Sequence, residues 1–186
     1  MTDDMPGLIF LSGFMGTGKT TIGKELAARM GRPFRDLDKA IEEYAGRSIR
    51  SVFDDGGEEA FRAIERNCLF DAIKNFRGIL SLGGGALQNQ QITDRVKLNG
   101  LLIFIETPIS VILSRIAADS DRPLLLDEKG GVKERRVLQK ELQELYEQRL
   151  PLYKQAEITI NSSKYASADQ LVTELIKKIE NHVSRH

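Results

Sequence analysis

Short apolar runs alternate with helical patterns along the whole chain. The runs cover residues 8–11, 34–37, 78–82, 101–105 and 158–160, and they are rich in Ile and Leu, as strands buried on both faces of a parallel sheet should be. Helical periodicity covers residues 19–30, 38–44, 48–53, 58–75, 89–98, 109–116, 133–148 and 168–183. This alternation predicts right-handed crossovers and a three-layer α/β fold, in which helices flank a five-stranded parallel sheet.

The segments that follow the strands carry the polar and glycine-rich chemistry of the chain. Strand one runs into residues 13–20, strand two into 36–38, strand three into 83–85 and strand four into 106–108. Ligands of such sheets bind beyond the carboxyl ends of the strands. We therefore expect these four segments to meet at one crevice.

The segment after the first strand, residues 13–20, reads G-F-M-G-T-G-K-T and fits the phosphate-binding pattern G-x-x-x-x-G-K-[ST] without a mismatch. Its glycines let backbone N–H groups point at the α- and β-phosphates of a nucleotide. Lys19 would reach the β- and γ-phosphate oxygens, and the Thr20 hydroxyl would face Mg²⁺. The helix that starts here adds its positive dipole end. The alternative, a chance match at a strand-to-helix turn, is disfavoured because a strand precedes the pattern and the stripe Ile22, Leu26, Met30 follows it.

Composition narrows the class of partner. The chain has 186 residues, which suits one domain, and it balances 27 Lys and Arg against 27 Asp and Glu. The balance argues against nucleic acid or an anionic membrane as the main partner. The single cysteine, Cys68, reads as a core residue, and no apolar run approaches the roughly 18 residues of a membrane span. We expect a cytoplasmic, monomeric protein that acts on small molecules.

Two aspartates, Asp36 and Asp38, follow the second strand at a spacing of two. If the chain is still extended there, both side chains point to the same side of the crevice. One would hold Mg²⁺ through its water shell, and the other would accept the proton of an attacking hydroxyl. The alternative is that Asp38 only caps the next helix.

Two arginines from distant segments, Arg62 and Arg149, are candidates for binding a carboxylate, which suits the planar arginine fork. Arg62 lies beside Arg66 on a helix and otherwise reads as part of a solvated face. Arg149 ends a helix before a proline, where a cation is favourable for the dipole alone. The glycines at 83–85 would let a ligand approach the backbone closely, or would only form a tight turn.

The stretch 117–131 has no apolar period and reads as a lid over the crevice. Arg122 within it would neutralise charge on the transferring phosphoryl group. The alternative is a solvated loop arginine.

Six blocks in register resemble the shikimate kinase family across most of the chain: G-F-M-G-T-G-K-T-T, D-L-D, F-R-A-I-E, S-L-G-G-G-A, R-P-L-L and R-L-P-L-Y. The resemblance implies an adenylate-kinase-like fold with strand order 2-3-1-4-5. It also implies ATP-dependent phosphorylation of the 3-hydroxyl of shikimate, on the route to chorismate and the aromatic amino acids. The substrate-binding segment would span about 38–65, within a single domain of residues 1–186.

The resemblance also implies roles for individual residues. ATP would be held by Gly16, Thr17, Gly18, Lys19, Thr20, Thr21, Arg115 and Arg122, with Arg115 against adenine. Mg²⁺ would be bound by Thr20 and, through water, by Asp36. Shikimate would contact Asp38, Arg62, Gly83, Gly84, Gly85 and Arg149, and the catalytic residues would be Lys19, Asp38 and Arg122. The loop after the last strand, residues 161–165, lacks the arginine that some members carry near adenine, so no side-chain role is assigned there.

Two other functions remain open. One is a kinase for another small metabolite, such as gluconate or a nucleoside monophosphate, although a carboxylate clamp argues against a nucleotide. The other is a nucleotide-dependent switch, for which the chain offers no obvious effector surface.

Overall fold

The computed structural model describes residues 5–116 and 135–185, in which five strands alternate with seven helices. In chain order they are β1 (Leu8–Ser12), α1 (Lys19–Met30), β2 (Phe34–Asp36), α2 (Leu37–Ala45), α3 (Ile49–Asn75), β3 (Gly78–Ser81), α4 (Gln90–Asn99), β4 (Leu101–Glu106), α5 (Ile109–Ile116), α6 (Arg135–Tyr153), β5 (Ile158–Asn161) and α7 (Ala168–Val183). A short 3-10 helix, Ser162–Lys164, follows β5. All five predicted strands are confirmed.

The strands form one parallel sheet in the order β2-β3-β1-β4-β5, which is the order implied by the family resemblance. Ser81 at the end of β3 is in register with Leu11 of β1 and with Asp36 of β2. The carboxyl ends of these three strands therefore lie side by side. The segments that follow them meet at this edge, as predicted.

Each face of the sheet is covered by its own hydrophobic layer. Phe10 and Phe104 point to the layer formed with α2 to α6, whereas Ile9, Leu11 and Ile103 point to the layer formed with α1 and α7. All five side chains are completely buried. Burial on both faces explains why the strands read as continuous apolar runs rather than as alternating ones.

Four helices differ from their predicted bounds. Helix α4, predicted at 89–98, is shifted by one residue to Gln90–Asn99. Helix α2 begins one residue early, at Leu37. The predicted helices 48–53 and 58–75 form the single element α3, which is bent at Gly57, whose φ of 68° and ψ of −170° are not helical. Helix α6 does not end at residue 148 but continues through Pro151 to Tyr153. The proline removes one N–H, but the last turn still closes through the Lys154 N–H to the Leu150 carbonyl at 2.9 Å, and Tyr153 is buried.

Helix α7 covers the predicted range 168–183, and its residues Leu171, Leu175 and Ile179 are buried against the sheet. None of the helices in the described residues is long and apolar enough to cross a membrane.

Candidate active site

The phosphate loop lies between β1 and α1 and is shaped by three glycines with positive φ. Gly13, Gly16 and Gly18 have φ of 143°, 75° and 88°. A Cβ on Gly13 would also lie 2.6 Å from the Ile105 carbonyl oxygen. A glycine-shaped loop that leads into a helix N-terminus is a backbone site for phosphate.

Lys19 lies at the start of α1 and is only 9% exposed. Its Nζ donates to the carbonyl oxygens of Gly13 and Phe14 at 2.8 and 2.9 Å. The loop thus wraps around the ammonium group, which is fixed beside the phosphate-binding backbone.

The two aspartates are arranged differently from the prediction. The strand ends at Asp36, and Asp38 lies in the first turn of α2, so the chain is not extended through both. The capping residue is Asp36, which accepts from the Asp38 N–H at 3.0 Å. An Asp at this position satisfies an N–H of the first helical turn. The alternative that Asp38 caps the helix is therefore wrong, and both aspartates still line one cavity.

Thr20 and Asp36 are in direct contact. The Thr20 hydroxyl donates to Asp36 Oδ2 at 2.7 Å, so the cap of α2 and the first turn of α1 share one polar contact. The pair presents a hydroxyl and a carboxylate, both oxygen donors, at the mouth of the phosphate loop.

The cavity at the carboxyl edge of the sheet measures about 500 Å³. It is lined by residues of the phosphate loop, by both aspartates, and by Gly84, Arg115, Ser162, Tyr165 and Ser167. Arg115 donates to the Gly16 carbonyl at 3.0 Å, which places its guanidinium beside the phosphate loop. The segment after β5 therefore forms part of the wall, although no role was predicted for its side chains.

Each of the three glycines after β3 lies close to one other predicted substrate-binding residue. A Cβ on Gly83 would lie 2.6 Å from Asp38 Oδ1, and one on Gly84 would lie 3.7 Å from Arg149 Nη1. A Cβ on Gly85 would lie 2.6 Å from both terminal nitrogens of Arg62. The protein's own side chains approach Gly83 and Gly85 closely, and the approach of a ligand to this triplet stays a prediction.

Arg62 is held by carboxylates on two sides. Its Nη1 lies 2.6 Å from Oε2 of Glu65, and its Nη2 lies 3.2 Å from Oε1 of Glu58. Nη1 also donates to the Gly85 carbonyl at 3.3 Å. The Arg62 side chain is only 20% exposed, so the solvated face expected as the alternative describes Arg66 and not Arg62.

Arg149 reaches the neighbouring glycine. Its Nη1 donates to the Gly84 carbonyl at 3.1 Å, and its Cζ lies 5.7 Å from the centre of the Phe14 ring. Arg62 and Arg149, 87 positions apart in the chain, thus bind carbonyls of two consecutive residues. The structure thus brings the two arginines together at these glycines. Of this group only Gly84 lines the cavity itself.

Two residues at the site were missed. Glu65 is 1% exposed and binds Arg62 and the Gln88 amide, the latter at 2.9 Å. Tyr153 is 2% exposed, and its hydroxyl donates to the Gly84 carbonyl. Each lies on the same helix face as a predicted arginine, at i+3 from Arg62 and i+4 from Arg149, and this spacing is the signal that was present in the sequence. Arg122 and the predicted lid at 117–131 lie outside the described residues.

Comparison with known proteins assigns the family. The family model described as shikimate kinase matches residues 15–180. A shikimate kinase from Chlorobaculum tepidum is 39% identical over 179 residues, which cover 96% of this chain and 93% of the relative.

Solved structures agree. The shikimate kinase from Acinetobacter baumannii in complex with shikimate superposes with a TM-score of 0.85 at 32% identity, covering 96% of each chain. A gluconokinase from Sinorhizobium meliloti, with a TM-score of 0.57, is only 17% identical over 97% of this chain and 95% of its own, which shows a shared fold alone. A family match over most of the chain, together with relatives of this identity, means that the chain belongs to the shikimate kinase family.

Proposed function

We propose that the protein transfers the γ-phosphoryl group of ATP to the 3-hydroxyl of shikimate, giving shikimate 3-phosphate and ADP. The observation that carries the proposal is the meeting of Arg62 and Arg149 at Gly84 and Gly85, next to Asp38 and the phosphate loop. This arrangement suits an acceptor that bears both a carboxylate and hydroxyl groups. Membership of the family supports the same acceptor.

The nucleotide side of the site would be built by the phosphate loop and the start of α1. The residues that would hold ATP are Gly16, Thr17, Gly18, Lys19, Thr20, Thr21 and Arg115, all of which line the cavity. Lys19 would exchange its bonds to the loop carbonyls for the β- and γ-phosphate oxygens. Arg122 lies outside the described residues, and its role at the phosphoryl group stays a prediction.

The residues present fit Mg²⁺. This ion prefers oxygen ligands and usually keeps several waters, so it needs only one or two protein groups beside the substrate phosphates. The Thr20 hydroxyl and the Asp36 carboxylate, 2.7 Å apart at the loop, are such groups. When bound, Mg²⁺ would neutralise charge on the β- and γ-phosphates.

The acceptor side would orient shikimate for attack. Arg62 and Arg149 would bind the carboxylate, and Gly83, Gly84 and Gly85 would lie against the ring. A Cβ on Gly83 would collide with Asp38, and one on Gly85 with Arg62. Asp38 would accept a hydrogen bond from the attacking hydroxyl and take its proton. Its Oδ1 lies beside Gly83, between the clamp and the phosphate loop.

Catalysis would then consist of positioning and charge stabilisation. In-line phosphoryl transfer requires little covalent work from the protein. Lys19, which is held at the loop and nearly excluded from water, would stabilise charge on the transferred group.

The proposal also includes the domain organisation, the oligomeric state and the location of the protein. One domain of residues 1–186 would hold both substrates, with the acceptor segment at about 38–65. Cys68 is a buried free thiol, as a reducing cytoplasm would leave it. The monomeric state and the cytoplasmic location stay predictions, which size-exclusion chromatography with light scattering and cell fractionation would check.

A panel of acceptors tests the proposal. ADP release, coupled to NADH oxidation, would be followed with shikimate, gluconate, a nucleoside monophosphate or no acceptor. We expect ADP release only with shikimate. Faster ADP release with gluconate or with the nucleotide would mean that this compound, and not shikimate, is the acceptor. ADP release without any acceptor would favour a nucleotide-dependent switch.

A further inference from the structure

Tyr153 is a buried residue at the site, and the proposed reaction assigns it no role. It lies one helical turn after Arg149, at the end of α6. Its ring stacks on Phe104 of β4, with centroids 5.2 Å apart and planes 22° apart. The side chain is therefore fixed by the core, and only its hydroxyl reaches the crevice.

The hydroxyl of Tyr153 and the guanidinium of Arg149 converge on one acceptor. Both donate to the Gly84 carbonyl oxygen, Arg149 from Nη1 at 3.1 Å. A carbonyl oxygen has two lone pairs, so these two donors satisfy it. The peptide of Gly84 is thereby tied to two successive turns of α6.

Gly84 also contacts the nucleotide side of the site. A Cβ on it would lie 3.2 Å from the Met15 amide nitrogen and 3.7 Å from the Gly13 carbonyl oxygen. The carbonyl bound by Tyr153 thus belongs to a peptide packed between the phosphate loop and Arg149. A small displacement of this peptide would change the distance between the two substrate-binding regions.

We propose that Tyr153 is a positioning residue that holds the Gly84 carbonyl in place, and through it holds the Arg149 guanidinium toward the substrate carboxylate. This role rests on the proposed function, because the carboxylate is that of the acceptor. Tyr153 touches neither substrate in this arrangement and acts through Arg149.

The phenol is suited to a permanent donor role. Burial raises the pKa of Tyr153 to about 12, so the hydroxyl keeps its proton throughout the range in which the enzyme is assayed. Because the ring packs on Phe104, Tyr153→Phe removes the hydroxyl and leaves the stacking. Tyr146→Phe is the matched control: Tyr146 lies on the same helix, and its ring meets Phe14 edge-on at 5.6 Å.

The test compares shikimate with its methyl ester, which lacks the negative charge. For Tyr153→Phe we expect the KM for shikimate to rise about three- to tenfold, the range that corresponds to one lost hydrogen bond. The preference of kcat/KM for the acid over the ester should fall by a similar factor, while kcat and the KM for ATP stay near wild type. Tyr146→Phe should leave the preference unchanged.

Four results would overturn the role. An unchanged acid-to-ester preference in Tyr153→Phe refutes it, and so does an equal loss with both acceptors. A lower melting temperature with the preference intact would show that the hydroxyl only stabilises the fold. In the Arg149→Ala background, Tyr153→Phe should have no further effect on the preference, and an additive effect would mean that it does not act through Arg149.

The two proposals fail differently. Wild-type protein that releases no ADP with shikimate would refute the function itself, and the positioning role with it. Wild-type protein that phosphorylates shikimate, combined with an unaltered Tyr153→Phe variant, would refute the positioning role alone.

Discussion

Replacing Arg62 by alanine tests the acceptor clamp directly. A guanidinium that binds a carboxylate makes charge-assisted hydrogen bonds worth about 1.5–3 kcal/mol. Their loss corresponds to a KM for shikimate that is about 10- to 100-fold higher. The KM for ATP should stay close to wild type, because Arg62 contacts Gly85 and two glutamates rather than the phosphate loop.

The same substitution has a cost in stability, which the design must separate from binding. Glu65 is 1% exposed, and its Oε2 would lose the Arg62 guanidinium and keep the Gln88 amide. A stranded buried acceptor costs about 1–3 kcal/mol, which corresponds to a melting temperature lower by about 2–12 °C in a domain of this size. Adding Glu65→Gln removes the stranded charge, and we expect it to restore part of the melting temperature without restoring the KM.

Steady-state kinetics with each substrate varied in turn, together with thermal unfolding, measure both effects. Arg66→Ala is the matched control, because it removes the same side chain from the exposed face of the same helix. Arg62→Lys keeps the charge but loses the fork, so its KM should lie between those of the wild type and Arg62→Ala. An unchanged KM for shikimate in Arg62→Ala, or an equal rise for ATP, would refute the clamp.

Three further substitutions test the remaining parts of the site. Lys19→Met should lower kcat by about 10³-fold, as expected of a lost transition-state donor, in a protein that still unfolds cooperatively; an aggregated variant would contradict this role. Thr20→Val should raise the Mg²⁺ concentration for half-maximal rate about tenfold or more, and an unaltered Mg²⁺ curve would exclude Thr20 as a ligand. Glu58→Gln releases one edge of Arg62 and should lower the KM for shikimate by about 1.5- to 5-fold, since Glu58 is 72% exposed and its pair is weak; a higher KM would show that the pair orients Arg62.

The sheet and the phosphate loop could be predicted because their signals are local. Ile9, Phe10 and Leu11 alternate between two buried layers, so the run is apolar throughout and marks a strand of a doubly covered sheet. The positive φ of Gly16 and Gly18 requires glycine, and the pattern records it. Where such local constraints act, sequence and structure agree.

The boundary between β2 and α2 could not be predicted from the sequence pattern. Asp36, Leu37 and Asp38 alternate as a strand would, and an Asp is a good cap at either position. The contact between Thr20 and Asp36 favours the earlier cap, and it joins residues 16 positions apart. A helix start that depends on a tertiary contact cannot be predicted from the spacing of neighbouring residues.

The clamp could be predicted only in part for the same reason. Arg62 and Arg149 were identified by residue type and by resemblance, but their meeting depends on the glycines after β3 and on α6 continuing past residue 148. Tyr153 lies on that extra turn, so a helix that ended at residue 148 could not place it. Glu65 was visible as a neighbour of Arg62, but its burial depends on the packing of α3 against the sheet.

The most direct test of the account is the stoichiometry of the reaction of the wild-type protein. With ATP, Mg²⁺ and limiting shikimate, phosphorus NMR would follow ADP and the phosphate ester while chromatography follows shikimate. The account predicts one ADP and one ester on the 3-hydroxyl for each shikimate consumed, and no ADP before shikimate is added. ADP formed with inorganic phosphate in the absence of shikimate, or an ester at another hydroxyl, would contradict it.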